Sequence, residues 1–283
     1  MPNIAEILRE SAEMLGENAV AEPRREAASL LAFALGRDKT FLVAHSEYEL
    51  SGDEENIFRG FVLRRAAREP FQYITGRQEF YGLEFIVTPD VLIPRPETEI
   101  IVENALEFLR LAVNPIFCEV GVGSGCISVS ILHELKTARA VGLDISEKAL
   151  AIAGKNAEKH GVAEMLELRI SDVFNQLSDE KFDLIISNPP YISAEEVTAL
   201  QKEVRDFEPL TALTDGGNGF SIIEKIVANA PRHLKTDGFL LAEIGFGQAK
   251  KVTEMFDANI WQSVEILPDL QGIPRTVRAR IKR

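Results

Sequence analysis

The sequence predicts an α/β protein: a doubly wound parallel sheet, preceded by a small helical domain and a connecting β-hairpin. Three observations carry this. From about residue 116, short β-branched runs alternate with helix-length amphipathic segments, the texture of repeated βαβ units. One of these runs, Phe182 to Ser187, is almost wholly apolar and stops at Asn188-Pro189-Pro190-Tyr191, as a buried parallel strand would. Before residue 68 the apolar residues keep helical spacing, and no strand-like alternation appears.

Taken in order, Ile4, Ile7, Leu8 and Leu15 form one helical face. Ala27, Ala28, Leu30, Leu31, Ala34 and Leu35 form another, ending at Gly36. Ser51 followed by Glu54 is a capping box opening a helix with Ile57, Phe58, Phe61 and Val62. Residues 1–68 are thus expected to be a helical domain, without chemistry of its own and suited to docking a partner. Residues 69–98 are expected to form a hairpin and linker: Phe71 to Gly76 and Phe80 to Val87 are aromatic, β-branched and broken by glycine. The prolines of Leu92 to Glu99 stiffen the link, with Pro96 suited to a first helical turn.

Residues 99–283 make the third region. Strands are expected at Ile116 to Val120, Ala138 to Leu143, Leu166 to Ile170, Phe182 to Ser187 and Phe239 to Ile244. Helices are expected at Cys126 to Leu135, Glu147 to His160, Gly219 to Leu234 and Gln248 to Phe256. Two closing strands follow near Ser263 to Leu267 and Thr276 to Ile281.

The totals exclude several classes. The 283 residues are 46% hydrophobic, enough for a sizeable core. A net charge of −13 argues against gripping nucleic acid through many phosphates, so no direct nucleic-acid binding is expected. Arg64, Arg65 and Arg68, and Arg275, Arg278, Arg280, Lys282 and Arg283, are basic clusters best explained as solvated faces. Cys118 and Cys126 make neither a disulfide framework nor a zinc spacing, and burial is expected for both; four scattered histidines offer no metal site. No apolar run spans a bilayer, so a soluble cytoplasmic protein is the expectation, and separately a monomer is expected.

Three consecutive strands end in groups that suit a nucleoside. Gly121-Val122-Gly123-Ser124-Gly125 follows the first and opens a helix, where unpaired amides and close backbone approach are available. It departs from the dinucleotide fingerprint, because Cys126 stands at the sixth position and the last glycine comes one residue early; no Walker lysine follows it either. Asp144 ends the second strand, where a carboxylate can accept from ribose hydroxyls. Asp172 ends the third, with Val173 beside it to pack on a ring. Either acid alone is more often a turn or cap residue; in succession they favour a nucleoside. Glu119 adds negative charge, which suits a cationic ligand better than a pyrophosphate. At Asn188 the two prolines force the backbone out of the sheet, at the edge where such sheets bind ligands. Pro189 holds Asn188 extended, leaving an Asn amide, a proline carbonyl and an aromatic ring side by side.

Glu119, Gly121 to Gly125, Asp144, Asp172 and Asn188 to Tyr191 together resemble a class I S-adenosylmethionine-dependent methyltransferase. Phe71 to Gly76, Ile93 to Glu99, Phe207-Glu208-Pro209 with Asp215-Gly216-Gly217, Glu243-Ile244-Gly245 with Gln248, and Asp269-Leu270 with Gly272 to Arg275 narrow the resemblance. The set is similar to the bacterial release factor glutamine methyltransferase family (PrmC/HemK), closely from about Phe71 onward and loosely before it. Glu119 stands where that family usually has Asp, keeping the acidic function.

The resemblance implies methyl transfer from S-adenosylmethionine to the glutamine of the Gly-Gly-Gln motif in class I peptide-chain release factors, with S-adenosylhomocysteine as product. It implies that Glu119, Gly121, Val122, Gly123, Ser124, Gly125, Asp144, Asp172, Val173 and Asn188 bind the cofactor. It implies that Asn188, Pro189, Pro190 and Tyr191 bind substrate, with Asn188, Pro189 and Tyr191 catalytic and no metal. An amide nitrogen is a poor nucleophile that must be positioned; the Asn188 and Pro189 carbonyls can accept its two hydrogens while Tyr191 stacks on its plane. The rivals are an adenine N6-methyltransferase, which uses the same tetrad, a methyltransferase for another protein, and a sheet that binds without catalysis.

Overall fold

The structure, a computed structural model, describes residues 1–282. The chain divides into two compact units, Met1–Arg77 with Gln201–Phe207, and Gln78–Leu200 with the chain from Glu208 on. The first holds helices α1 (Ile4–Glu17), α2 (Pro23–Leu35), α3 (Lys39–Ala44), α4 (Gly52–Ala66) and α5 (Phe71–Thr75). Asn3 with Glu6, and Ser51 with Glu54, close reciprocal capping boxes at α1 and α4. Gly36 ends α2 in the left-handed region at φ 60°. Ile4, Ile7, Leu15, Leu30, Leu31 and Phe58 are fully buried, each worth about 1.5–3 kcal/mol over exposure. Ile57, read as part of the α4 face, is instead exposed.

Helix α5 corrects the expected strand at Phe71 to Gly76. The Pro70 carbonyl accepts from the Tyr73 and Ile74 amides at 3.0 and 3.1 Å, and Gly76 closes the turn at φ 71°. Proline before and glycine after outweigh the β propensity of the aromatic residues between them. The hairpin is shorter than expected: β1 (Arg77–Phe80) and β2 (Leu83–Ile86), joined by Tyr81-Gly82, both at positive φ as a two-residue type I′ turn requires.

The second unit continues with α6 (Glu99–Leu109), β3 (Ile116–Val120), α7 (Cys126–Glu134), β4 (Arg139–Asp144), α8 (Glu147–Lys159), β5 (Leu166–Ile170), β6 (Phe182–Ser187) and α9 (Ala194–Val197). Then come α10 (Lys202–Phe207), which belongs to the helical unit, α11 (Leu210–Leu213), α12 (Ser221–Asn229), β7 (Leu234–Glu243), α13 (Ala249–Thr253), β8 (Trp261–Pro268) and β9 (Pro274–Ile281). Pro96 opens a 3₁₀ turn leading into α6, the first-turn place expected for it. The sheet order is β5-β4-β3-β6-β7-β9-β8. The first five strands are parallel, and β9 runs antiparallel to both neighbours. The closing pair therefore makes the sheet mixed rather than wholly parallel: a turn as short as Asp269 to Ile273 can join only antiparallel strands. Phe80, Phe85, Ile101 and Leu106 pack with Ile127 and Ile131 in one core layer, while Ile223, Ile226 and Phe256 join Val120 and Ile185 in the other. The strand order reverses between β3 and β6, so the carboxyl ends of these strands flank the switch point where such sheets bind ligands.

The basic cluster on α4 is not a solvated face. Arg65 is buried and donates to Glu26 at 3.0 Å and Glu203 at 3.2 Å; Arg68 forks onto Glu203 at 2.6 and 2.7 Å. Glu203 lies on α10, so these pairs help hold that excursion within the helical unit. Near the C-terminus Arg275, Arg278 and Arg280 pair with Asp269, Glu265 and Asp237, and Arg283 lies outside the described residues. Cys118 is buried but Cys126 only partly so. Among the described residues, no helix is long and apolar enough to cross a membrane.

Candidate active site

A cavity of about 340 Å³ opens at the carboxyl edge of β3, β4, β5 and β6, within the range of small-molecule sites. Every loop expected at this edge lines it. The glycine loop is fixed by main-chain bonds: the Gly121 and Val122 amides both donate to the Leu143 carbonyl at 2.8 and 3.0 Å. Gly121, Gly123 and Gly125 have φ of 76°, 54° and 80°, a path few other residues follow. The early glycine also has a packing reason. A Cβ on Gly125 would lie 3.2 Å from the Ala153 Cβ, so the absent side chain lets α7 and α8 approach.

Asp144, at the end of β4, accepts from the Gly123 amide at 2.9 Å with one oxygen and from the Ser146 amide at 2.9 Å with the other. Burial raises its pKa, while those amides oppose the rise. A carboxylate has about four acceptor positions, so acceptor capacity remains for a hydroxyl group. Glu119 is buried at the end of β3, where one oxygen accepts from the Ser128 amide at 2.9 Å and from the Ser128 hydroxyl. Burial pushes its pKa up to about 8, against the pull of Ser128.

Asp172 and Val173 line the cavity beyond β5. Asp172 is half-exposed and faces Lys225 at 3.6 Å, a pair worth little in water. Val173 sits at φ 52°, a costly conformation for a β-branched residue. Ser171 stabilises it by donating to the Val173 carbonyl at 2.9 Å while accepting from the Gln176 amide at 3.1 Å.

Asn188, Pro189, Pro190 and Tyr191 leave β6, and Asn188 and Pro190 line the cavity. The Asn188 amide nitrogen donates to the Thr98 hydroxyl at 3.3 Å, and Thr98 donates to Glu243 at 2.7 Å. The Tyr191 hydroxyl donates to the other Glu243 oxygen at 3.3 Å. Gln248 fixes the Tyr191 main chain, donating to its carbonyl at 2.8 Å while accepting from the Gly245 amide at 2.9 Å. Burial pushes the Tyr191 phenol above its ordinary range.

The structure thus brings Glu119, Gly121, Val122, Gly123, Ser124, Asp144, Asp172, Val173, Asn188 and Pro190 to one cavity, with Pro189 and Tyr191 on the same exit loop. Gly125 does not line it and packs instead against Ala153. Sequence reasoning missed several residues that build it. Ile145 is an exposed apolar wall beside Asp144, legible only as an isoleucine just past a strand end. Fully buried Asn156 donates to the Ser124 carbonyl at 2.9 Å and exchanges hydrogen bonds with Ile86 at 2.7 and 3.0 Å. Glu208 is buried under the proline link, accepting from Arg95 at 2.5 Å and from the Ile93 amide at 3.2 Å. An acid before a proline had marked the stretch without giving it this role.

A parallel sheet with one inserted antiparallel strand, a glycine loop after its first strand, and acids on the next two define a class I S-adenosylmethionine-dependent methyltransferase. Solved structures agree on the fold. A methyltransferase from Pyrococcus furiosus superimposes with a TM-score of 0.52 at 17% identity, covering 79% of this chain and 97% of the other. The hMettl16 catalytic domain gives 0.59 at 14% identity and covers 81% of each. Residues 6–76 match the family model of the PrmC N-terminal domain, and residues 105–218 that of the methyltransferase small domain. A release factor glutamine methyltransferase of Geobacter sulfurreducens is 44% identical over 94% of this chain and 93% of its own. Those of Cereibacter sphaeroides and Koribacter versatilis are 42% and 41% identical, over 98% and 91% of both chains. The chain belongs to the release factor glutamine methyltransferase family.

The residues fit S-adenosylmethionine. The cavity combines a glycine loop whose main chain allows close approach, acceptor capacity on Asp144, the apolar walls of Ile145 and Val173, and the Asp172 carboxyl group at its edge.

Proposed function

We propose that this enzyme methylates the side-chain amide nitrogen of the glutamine in the Gly-Gly-Gln motif of class I peptide-chain release factors. The observation that carries the reading is the state of Asn188. Its amide nitrogen is engaged by Thr98, so its carbonyl is the group left to accept a hydrogen from a substrate amide beside the cavity. The family relatives, named for this substrate, support the same assignment.

S-adenosylmethionine supplies an electrophilic methyl on a sulfonium. The chain's own residues do the rest by positioning. The Asn188 and Pro189 carbonyls accept the two hydrogens of the glutamine amide, orient its nitrogen in line with the methyl, and favour the positive charge that develops there. As the new C–N bond forms, the electrons of the broken bond stay on sulfur, and the nitrogen gives up one of its two hydrogens as a proton to solvent. Tyr191, held at both its hydroxyl and its carbonyl, stacks on the amide plane and excludes water. Glycines 121, 123 and 125, with Val122 and Ser124, line the methionine portion. Asp144 holds the ribose; Asp172 and Val173 hold the adenine; Glu119 lines the cavity beneath the glycine loop.

Residues 1–68 would dock the release factor, because a short glycine-containing motif buries too little surface for specificity. Residues 69–98 would connect this docking domain to the catalytic domain at 99–283. A release-factor substrate would put the enzyme in the cytoplasm, acting as a monomer and without direct nucleic-acid binding. The test is methyl transfer from labelled S-adenosylmethionine to a purified class I release factor and, in parallel, to duplex DNA. One added methyl on the Gly-Gly-Gln glutamine, located by mass spectrometry, is expected. Label in DNA alone would keep the site and overturn the substrate, and label in neither would point to another protein as substrate.

A further inference from the structure

We propose that Glu243, acting through the Thr98 hydroxyl, is a positioning residue that sets which end of the Asn188 amide faces the substrate. The argument rests on the glutamine-amide reading above and deepens it. A threonine hydroxyl has one hydrogen to give and two lone pairs. Thr98 lies 2.7 Å from Glu243 Oε2 and 3.3 Å from Asn188 Nδ2. Both Thr98 and Glu243 are buried, so water does not compete for the bond between them, while the Asn188 bond lies at the cavity wall. Both Glu243 oxygens accept, one from Thr98 and the other from Tyr191, so the single Thr98 hydrogen points at the Glu243 carboxyl group. Burial raises the Glu243 pKa, and these two hydrogen bonds and Arg275 oppose the rise. The oxygen that remains can only accept. Asn188 must therefore turn its NH₂ toward Thr98 and leave Oδ1 for the substrate.

The alternative arrangement fails chemically. If Asn188 were flipped, its NH₂ would confront the NH₂ of a substrate glutamine, donor against donor, and its carbonyl would confront a Thr98 oxygen with no hydrogen left. Polar groups left facing each other without a hydrogen between them are costly, so the arrangement with Oδ1 toward the substrate is preferred. Glu243 also accepts from Tyr191 with its second oxygen at 3.3 Å. One carboxylate at the end of β7 thus aligns both arms of the exit loop on β6, its neighbour in the sheet.

The experiment compares Thr98→Val, which keeps the shape and removes the hydroxyl, with Thr98→Ser, which keeps the hydroxyl. With release factor as substrate, kcat is expected to fall about thirtyfold in Thr98→Val, less than for loss of a direct transition-state donor. KM for S-adenosylmethionine should stay within about twofold, and Thr98→Ser should recover most of the loss. A kcat unchanged in Thr98→Val, or equal losses in both variants, would overturn the relay. A second readout needs no substrate: in enzyme labelled with ¹⁵N-asparagine, one Asn188 side-chain proton should be protected from solvent exchange in wild type and Thr98→Ser but not in Thr98→Val. Failure of wild type to methylate release factor would sink the substrate reading alone. Equal Asn188 exchange in all three proteins would sink the relay alone.

Discussion

The two halves of the cavity are built by different means. On the β3, β4 and β5 side it is the main chain that is held: the Gly121 and Val122 amides bond to the Leu143 carbonyl, the Gly123 amide to the Asp144 carboxylate, and the Ser171 amide to the Asp144 carbonyl. On the β6 and β7 side, side chains hold the exit loop through partners far away in sequence, Thr98 for Asn188, and Glu243 and Gln248 for Tyr191. A main-chain cradle binds whatever fits its shape, which suits a ligand common to many enzymes. A side-chain relay specifies donor and acceptor polarity, which suits recognition of one functional group. Binding and chemistry should therefore separate when each half is damaged.

The largest effect is expected from Asn188→Ala. Removing the acceptor that orients the substrate amide should lower kcat about a thousandfold, the scale of losing one preorganised transition-state partner. The affinity for S-adenosylmethionine, measured by calorimetry, should stay near wild type, because the glycine loop and Asp144 do not bond to Asn188. Equal loss of turnover and affinity would mean that the two halves are one site after all.

Gly125→Ala attacks the other half through its backbone. The new Cβ would lie 3.2 Å from the Ala153 Cβ and 3.3 Å from its Cα, on a residue at φ 80°. Overpacking together with a left-handed alanine should cost about 2–3 kcal/mol in urea unfolding. A variant as stable as wild type would show that α7 and α8 can part without cost.

These two substitutions mark what a sequence can and cannot show. Gly121 to Gly125, Asp144 and Asn188 to Tyr191 were legible because each carries its structural reason locally: a positive φ, a strand end, a proline that forbids further pairing. The relay was not legible, since Thr98 and Glu243 are 145 residues apart and meet only when α6 and β7 are brought together. The same limit hid the Arg65 and Arg68 contacts to Glu203, which look like a solvated basic face until α10 is found beside them. At Phe71 to Thr75 the information was local but misweighted, because the flanking Pro70 and Gly76 decide the backbone and the aromatics do not.

A smaller effect comes from Asp144→Asn. Asp144 accepts from two amides, Gly123 and Ser146, one with each oxygen. An asparagine has only one oxygen, so its NH₂ must face one of those N–H groups or turn away and leave it unpaired. The loop and the ribose acceptor are both weakened, and S-adenosylmethionine affinity should fall about tenfold, about 1.4 kcal/mol. At saturating S-adenosylmethionine, kcat should be nearly retained, the opposite pattern to Asn188→Ala. A variant with normal affinity and poor turnover would remove the division of labour between the halves.

The finest test concerns Glu119 in the ligand-free enzyme, beneath the glycine loop. Its carboxyl is raised from 4.5 to about 8, chiefly because burial penalises the ionised form. The folded protein therefore keeps a proton that the unfolded chain sheds once the pH exceeds the ordinary glutamate range. Stability from this source is fully present below about pH 4.5 and is lost as pH rises through about 8. Between those limits it contributes a slope of up to about 1.4 kcal/mol per pH unit. Glu119→Gln keeps the oxygen that accepts from Ser128 and has nothing to titrate, so urea unfolding at pH 5, 6, 7 and 8 should show a shallower fall than wild type. The variant should match wild type near pH 5 and exceed it near pH 8. Parallel curves would mean that Glu119 is already ionised when folded, with Ser128 and the α7 amides stabilising the charge. The acid would then hold the loop as a fixed anion, and both halves of the cavity would depend on side-chain charge.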